Sequence, residues 1–421
     1  MWLLVALILI MPYEANPYLY LGENLLGIFP DFTVIKLLGL LGFAWAGMRL
    51  AAGDPSGALL STRPARLFLL FFAVMVVIAM AHGTGFQYAV SRYVGFLVFL
   101  PFVIVAVRTE TDLRRVLKAM VLAYVLVFPY ALRQMLRFGE RLGTGLYETN
   151  YLATILVLLV PVAFVFASQE RDPRGRLLWT GAGLLLVLMV FLTSSRGGFV
   201  GLLAAGMVYV YRRHGIGRAV GAMLGLLACI VVLPTDVGTR ALATIFQDGG
   251  ALPAGLETSN RAHIALFWAA LRMIADNPLI GVGPMNFKDL STSYTGLDIA
   301  NIAHNSFLEI AAEFGLPALG VFLLLLGSTF ATLRRAIRFG PSTESRAIAG
   351  WAEGLRSGLI GFLVSAFFIS AQYEKVLWLA VFVTITLGAI ADRRAAIDAA
   401  EVEAEADAAA PDLLPAPEPA S

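Results

Sequence analysis

Long apolar runs, separated by short charged loops, dominate the chain. A helix needs roughly 20 apolar residues to cross a bilayer, and about twelve runs approach that length. The first run is short and ends at Pro12, so the pattern leaves open whether it fully crosses a membrane. The predicted spans are Leu3–Pro12, Val34–Ala51, Leu67–Ala81, Tyr88–Val107, Val116–Leu136, Tyr151–Ala167, Leu177–Leu192, Phe199–Tyr211, Ala219–Leu233, Leu316–Leu333, Ser357–Ala371 and Val376–Ala391. We therefore predict an all-α polytopic membrane protein with about twelve transmembrane helices.

One long hydrophilic interval, residues 234–315, interrupts this pattern between the ninth and tenth spans. It predicts a large outer loop with short helices, flanked by spans one to nine in 1–233 and spans ten to twelve in 316–391. Residues 392–421 are rich in alanine, acidic residues and proline, a composition typical of a disordered tail. The chain thus divides into two membrane segments, one loop and one tail.

Composition and charge agree with a membrane protein and indicate its orientation. Charged residues make up 14% of the chain, against roughly 25% in soluble domains. The single cysteine, Cys229, excludes an internal disulfide. Arginine and lysine are concentrated in alternate loops, which predicts that both termini and the acidic tail are cytoplasmic. The long loop then lies outside, in the periplasm of a cell with two membranes.

Within the long loop, a helix is predicted from Arg261 to about Ala275, capped by Ser259 or Asn260 and limited by Pro278. Its apolar side chains recur at helical spacing and form one stripe, comprising Ile264, Phe267, Trp268, Leu271 and Ile274. Arg261 and Arg272 share one edge of this stripe, which indicates a helix on the membrane surface. From spacing alone, Arg261 suits headgroup binding and catalysis equally, whereas Arg272 suits a solvated cation.

Arginines also occur in two other outer loops. Arg196 follows a very short turn and precedes Gly197 and Gly198, a pattern that predicts exposed backbone beside a fixed charge suited to phosphate oxygens. A second group, after the fifth span, consists of Arg133, Arg137 and Arg141. These three either attract an anionic substrate or are helix-end side chains reaching the headgroups.

His304 precedes a predicted short helix that Gly315 closes, and Glu309 stands in capping-box spacing after Ser306. A lone histidine is more often structural than catalytic, and the residues by themselves do not decide its role. His263 and His82 show no partner pattern. No two histidines have metal-ligand spacing, so no metal site is predicted. The Gly281–Pro284 turn lacks the Lys-Ser/Thr of a nucleotide-binding loop and is predicted to be a close backbone bend.

These loop motifs resemble the signature of the bacterial O-antigen ligase/polymerase superfamily. The residues that carry the resemblance are Asn260-Arg261, Trp268, Asn277 to Gly283, His304 to Glu309 and Glu313 to Gly315. The resemblance implies an inner-membrane glycosyltransferase that needs no metal or other cofactor. It would take a glycan from undecaprenyl diphosphate and transfer it to a hydroxyl of lipid A-core, of a second lipid-linked repeat unit (a polymerase) or of a protein.

The resemblance also implies residue roles. Arg196 and Arg261 would bind the diphosphate, and His304 would activate the acceptor hydroxyl as the catalytic base. Arg261 would also be catalytic, together with His304. Arg133, Arg137, Arg141 and Arg272 are candidate substrate contacts. The complete loop signature favours a ligase over a polymerase, although both use the same donor. A transporter of lipid-linked glycans is the rival from another class, and the scarcity of charges within the spans counts against it.

Overall fold

The computed structural model describes residues 1–14, 16–25, 29–83, 86–139, 141–143, 148–232, 254–296, 300–338 and 342–409. Helices dominate these residues, with one two-stranded hairpin near the N-terminus. The elements in chain order are α1 (Trp2–Ile10), β1 (Tyr20–Leu25), β2 (Phe29–Thr33), α2 (Val34–Ala51), α3 (Arg63–His82), α4 (Phe86–Ala106), α5 (Glu110–Phe138), α6 (Thr149–Gln169), α7 (Pro173–Leu192), α8 (Arg196–His214), α9 (Ile216–Val232), α10 (Ala254–Asp276), α11 (Asn286–Thr295), α12 (Ser306–Ala336), α13 (Thr343–Ser365) and α14 (Lys375–Ala409).

The protein is a multi-pass α-helical membrane protein, as the apolar pattern predicts. In the described residues, seven helices are long and apolar enough to cross a membrane, namely α2, α3, α5, α6, α7, α12 and α14. Three shorter apolar helices lie in α1, α4 and α9. The count of twelve crossings stays a prediction. Between α1 and α2, the strands β1 and β2 pair as an antiparallel hairpin.

Two predicted boundaries near the C-terminus are wrong. The span predicted at Ser357–Ala371 belongs to α13, which begins at Thr343 and ends at Ser365. Polar residues in the part of α13 before Ser357 hide the helix from a hydropathy pattern. Two of them, Glu353 and Arg356, pair at 3.0 Å within the helix. Likewise α14 continues to Ala409, so 392–409 are helical rather than part of a disordered tail. Alanine and glutamate are strong helix formers, and a tail rich in them extends a preceding helix. Residues 410–421 lie outside the described residues.

The helix α13 packs closely against α6 and α8 through small residues. Gly350, Gly354 and Gly358 recur every four residues, and a Cβ at any of them would overlap α6. Gly361 faces α8 in the same way, since its Cβ would lie 2.6 Å from the carbonyl oxygen of Gly201. Small residues at this spacing let helix backbones approach closely in membranes. This packing fixes α6, α8 and α13 relative to one another.

The hydrophilic loop folds as a small helical layer at one end of the bundle, which we call the outer end. It contains α10, α11 and the first part of α12, residues 306–314. Gly315 breaks α12 with φ 79° and ψ 170°, at the place where the short loop helix is predicted to close. The layer has its own apolar core, formed by Leu266, Ala270, Met273, Val282, Phe287, Ala303 and Ala312. The helix α10 begins at Ala254, earlier than the predicted caps Ser259 and Asn260, which therefore lie inside it.

The turn at Gly281–Gly283 joins this layer to the membrane helices. The amides of Val282 and Gly283 donate to the carbonyl oxygens of Ala312 and Glu313 at 2.8 and 3.0 Å. These two bonds satisfy carbonyls at the end of the short helix, which otherwise lack partners. Nε2 of His82, at the end of α3, lies 3.2 Å from the Gly281 carbonyl oxygen. The glycines thus serve a close backbone contact, as the sequence predicts.

Candidate active site

Arg196 is held at the start of α8 by a tight turn. The side chain of Ser195 caps the helix by accepting a hydrogen bond from the Gly198 amide at 3.2 Å. Ser194 has φ 52°, a left-handed conformation that non-glycine residues rarely adopt. The partly buried Arg196 is the first residue of the helix, where the helix dipole also attracts anions. The turn therefore presents fixed positive charge at the outer end.

The two glycines after Arg196 contact α6 and the segment after α13, rather than solvent as predicted. A Cβ at Gly197 would lie 2.7 Å from Phe368, and a Cβ at Gly198 would lie 2.5 Å from Ala153. The hydroxyl of Ser365 donates to the Gly197 carbonyl oxygen at 3.1 Å. The prediction of exposed backbone is therefore wrong, because close helix packing occupies this space. These contacts fix the position of the Arg196 turn.

Arg141 supports the same turn from the neighbouring loop. Its Nε donates to the Thr193 carbonyl oxygen at 2.9 Å, and Nη2 donates to the Thr149 hydroxyl at 2.5 Å. Arg133 and Arg137 instead lie exposed on the last turns of α5. Arg137 stacks over Phe138 with 5.4 Å between the guanidinium carbon and the ring centre. Of the three arginines, the described contacts bring only Arg141 to the Arg196 turn.

His304 is held in a left-handed conformation, with φ 50°, immediately before α12. Asn305 caps this helix, since its Oδ1 accepts hydrogen bonds from the amides of Phe307 and Leu308, both at 3.0 Å. The predicted capping box of Ser306 and Glu309 is therefore wrong, because Asn305 already occupies the cap. Strained backbone of this kind persists where surrounding contacts determine it, often at functional sites.

Ser306 and Glu309 instead bind the segment between α13 and α14. The Ser306 hydroxyl donates to the Ile369 carbonyl oxygen at 2.9 Å and accepts from the Ala371 amide at 2.8 Å. The buried carboxyl group of Glu309 accepts from the Ala303 amide at 3.0 Å. It also accepts from the side chains of Ser370 (2.5 Å) and Gln372 (2.8 Å). The segment 366–372 thus holds the His304 turn, and through Phe368 it also contacts the Arg196 turn.

The ring of His263 on α10 lies against His304, with 4.7 Å between ring centroids. Burial, and to a lesser extent the charge of His263, lower the pKa of His304 to about 4. Burial is also the main cause that lowers the pKa of His263, and the positive charge of Arg196 lowers it as well. Both imidazoles are therefore neutral near pH 7. Arg196, His263 and His304 come from distant parts of the chain and lie together at the outer end.

The sequence interpretation missed His263 because it considered histidine spacing alone. In the structure, His263 stands three and seven residues before the buried Leu266 and Ala270. Positions three, four and seven apart share one face of a helix. His263 therefore lies on the buried face of α10, which the sequence alone did not identify.

Arg261 lies on a different face of α10. It stands two positions before His263, which corresponds to a rotation of about 200° around the helix. Arg261 is exposed, as are Ile264, Trp268 and Arg272 on the same face. Arg272 donates from Nη1 to the Tyr294 carbonyl oxygen at 3.4 Å. The structure thus brings Arg196 and His304 together with His263, and places Arg261 and Arg272 on the outer surface of α10.

This combination defines a class: a multi-pass membrane protein with a polar site of histidine and arginine under a small outer helical layer. Residues 181–323 match the family described as O-Antigen ligase, and the chain carries the domain of this superfamily. The matched range includes Arg196, Arg261, His263 and His304. The resemblance seen in the loop motifs is thereby confirmed. No curated protein matches the chain. The family is one of membrane glycosyltransferase-like ligases and polymerases.

Among the described residues, no group of three or more His, Cys, Asp and Glu side chains is arranged to hold a metal ion.

Proposed function

We propose that the protein is an inner-membrane glycosyltransferase of the O-antigen ligase type. It transfers a glycan from undecaprenyl diphosphate to a hydroxyl of lipid A-core on the periplasmic side of the membrane. The observation that carries this proposal is the contact of the neutral His304 with His263, on which the charge of Arg196 acts.

In the proposed reaction, His304 accepts the proton of the acceptor hydroxyl. The hydroxyl oxygen then forms a bond to the anomeric carbon, and the bond from that carbon to the diphosphate oxygen breaks. Undecaprenyl diphosphate leaves with the electron pair of the broken bond, and Arg196 stabilises the charge that develops on it. A histidine that is neutral near pH 7 suits the first step, because only the neutral imidazole accepts a proton.

Arg261 is proposed to bind the donor diphosphate at the membrane surface before transfer. Its exposed position beside Ile264 and Trp268 suits this role, since these apolar side chains are 60% and 56% exposed and would enter the bilayer interface. Arg272 extends the same positive edge. Arg141, through its bonds to the Arg196 turn, supports that turn and is a further candidate contact to the glycan, as are Arg133 and Arg137.

The test is glycan transfer in membranes from a lipid-diphosphate-linked oligosaccharide. We expect His304→Ala to lower the rate roughly 10²- to 10⁴-fold, which is the range for loss of a general base. Arg196→Gln should lower it roughly 10²- to 10³-fold, as for loss of one charge-stabilising donor. Lys288→Gln, an exposed cation on α11, is the matched control and should transfer at the wild-type rate.

The product distinguishes the finer alternatives. One glycan added to lipid A-core supports the ligase, a ladder of lengthening chains supports a polymerase, and a modified protein supports a protein glycosyltransferase. Unchanged transfer by both site variants, with each inserted at wild-type level, would refute the site. Movement of the donor across the membrane without transfer by the wild type would support a transporter instead.

A further inference from the structure

His263 is the residue of α10 that faces the site, and the proposed base does not account for it. We propose that His263, in its protonated form, binds the donor diphosphate together with Arg196, so that donor binding takes up a proton. This inference rests on the proposed function, and it concerns how the same site recognises its donor.

His263 interacts with both other groups of the site. Its ring is in contact with the ring of His304, and the charge of Arg196 acts on it. His263 is only half-buried, so its ring can reach a ligand. Burial lowers the pKa of His304 strongly, and His304 must stay neutral to accept a proton. In the proposed complex, the phosphate lies beside Arg196 and accepts a hydrogen bond from His263.

The phase of α10 separates His263 from Arg261. The face with His263 continues into the buried Leu266 and Ala270, whereas the face with Arg261 is exposed. The two side chains differ by about 200° around the helix. The two side chains therefore cannot contact the same side of a bound diphosphate unless α10 rotates. We assign the face toward Arg196 to His263 and the surface face to Arg261.

The protonation step follows from the charges that face His263. In the free protein, burial and the positive Arg196 both oppose its protonation. A bound diphosphate reverses this, because one negative charge about 5 Å away raises the proton affinity of an imidazole roughly a hundredfold at an effective dielectric constant of about 20. An imidazolium then donates a charge-assisted hydrogen bond to a phosphate oxygen.

Other ionisable groups on the elements packed against α10 are engaged elsewhere. On α12, Glu309 binds Ala303, Ser370 and Gln372, and Glu313 accepts from the Tyr373 hydroxyl at 3.3 Å. On α11, Tyr294 donates to Asp276 at the far end of α10 at 2.8 Å, and Lys288 and Asp289 are exposed. Arg196 and His304 are thus the groups whose charge bears on His263.

The experiment measures binding, independently of catalysis. Purified full-length protein in lipid nanodiscs is titrated calorimetrically with a polyprenyl diphosphate-linked sugar, with no acceptor present. The diester diphosphate of this probe does not itself titrate near neutral pH. Titrations at pH 7.5 in buffers of different ionisation enthalpy give the number of protons taken up. The variants are His263→Gln and His263→Arg, and His214→Gln at the far end of α8 is the matched control.

We expect the wild type and His214→Gln to take up a measurable fraction of a proton, and their affinity to fall up to tenfold per pH unit between pH 7 and 8. His263→Gln should bind at least tenfold more weakly and take up no proton. His263→Arg should bind tightly at every pH and also take up none. Equal proton uptake by the wild type and His263→Gln would overturn the inference, as would wild-type binding without uptake. If the wild type neither binds the probe nor transfers glycan, the proposed function itself fails.

Discussion

Glu309 offers the sharpest test of how the fold positions His304. Its buried carboxyl group, 4% exposed, accepts hydrogen bonds from the Ala303 amide and from the side chains of Ser370 and Gln372. The first of these groups directly precedes His304 in the chain. The other two belong to the segment that also contacts the Arg196 turn. Removing the carboxyl group should therefore disturb both stability and the distance between base and diphosphate.

The contacts allow the size of the effect to be estimated. Glu309→Ala leaves three buried donors without partners, each costing about 1–3 kcal/mol unless it finds another acceptor. Ser370 and Gln372 can rotate, but the Ala303 amide cannot. We expect a loss of about 3–6 kcal/mol, or roughly 3–7 °C in the unfolding midpoint of a chain this large. Glu309→Gln should cost about 1 kcal/mol, because its carbonyl oxygen can serve Ala303 while Gln372 turns its own amide oxygen toward the new NH₂ group.

The assay compares both variants in thermal unfolding and in glycan transfer below the unfolding range. Glu309→Ala should lower kcat at least tenfold with little change in KM for the donor, since it displaces the base and not the diphosphate site. Glu309→Gln should stay within a few-fold of the wild type. Asp289→Ala, an exposed carboxylate on α11, is the control. Equal losses in the Ala and Gln variants would refute the positioning argument and point to a requirement for the charge itself.

Three further predictions concern other parts of the site. Arg196→Lys keeps the charge but loses the planar donor fork, so we expect a tenfold or greater rise in KM for the donor, measured in the transfer assay. Gly281→Ala should lower the unfolding midpoint strongly, because Gly281 has φ 64° and its Cβ would overlap the backbone of Glu313. For His304, the pKa is lowered from 6.5 to about 4 in the folded protein. Stability is therefore fully present above pH 6.5 and falls as the pH drops toward 4, by about 3 kcal/mol from this group. His304→Gln should remove that part of the loss, as seen by comparing unfolding midpoints at pH 7 and 4.5, and an identical acid sensitivity in both proteins would contradict it.

The membrane helices could be predicted because their signal is local. The boundaries of α2 agree with the predicted Val34–Ala51, and α10 ends at Asp276, just before Pro278, as expected. Each of these features depends on the residues within one helix. Where polar residues are paired inside the bundle, the local signal fails. Polar residues such as Glu353 and Arg356 made the part of α13 before Ser357 look like a loop, although these two form an ion pair within the helix.

The prediction of a disordered C-terminal tail was wrong for a related reason. Composition alone indicated disorder, but Asp398 accepts hydrogen bonds from Ser342 (2.9 Å) and Ser345 (2.5 Å) at the start of α13. Its carboxyl group also lies 2.8 Å from Arg394. These partners stand more than 50 positions away in the chain, except Arg394. A tertiary contact therefore stabilises a helix that its composition permits but does not require.

The site was partly accessible from the sequence. Arg196 and His304 were identified through motifs and chemistry, and the structure brings their neighbourhoods together. His263 was missed and Arg261 was emphasised because motif spacing carries no information about which side of a helix faces the core. Helix phase carries that information once the buried side is known from Leu266 and Ala270. Tertiary structure is thus needed to tell which positions of a helix face the site and which are exposed.

The relation between the Arg196 and His304 turns depends on residues that take no part in the chemistry. Both turns contact the segment 366–372, and that segment continues α13, whose glycines allow backbone contact with α6 and α8. A larger side chain at Gly361 would push α13 away from Gly201. Phe368 and Ser370 would move together with α13. Arg196 and His304 would then lie too far apart for transfer, although neither residue is changed. The glycines of α13 are therefore required by the site at the end of this helix as well as by helix packing. A Gly361→Leu variant that transfers no glycan but keeps its affinity for the diphosphate would demonstrate this requirement.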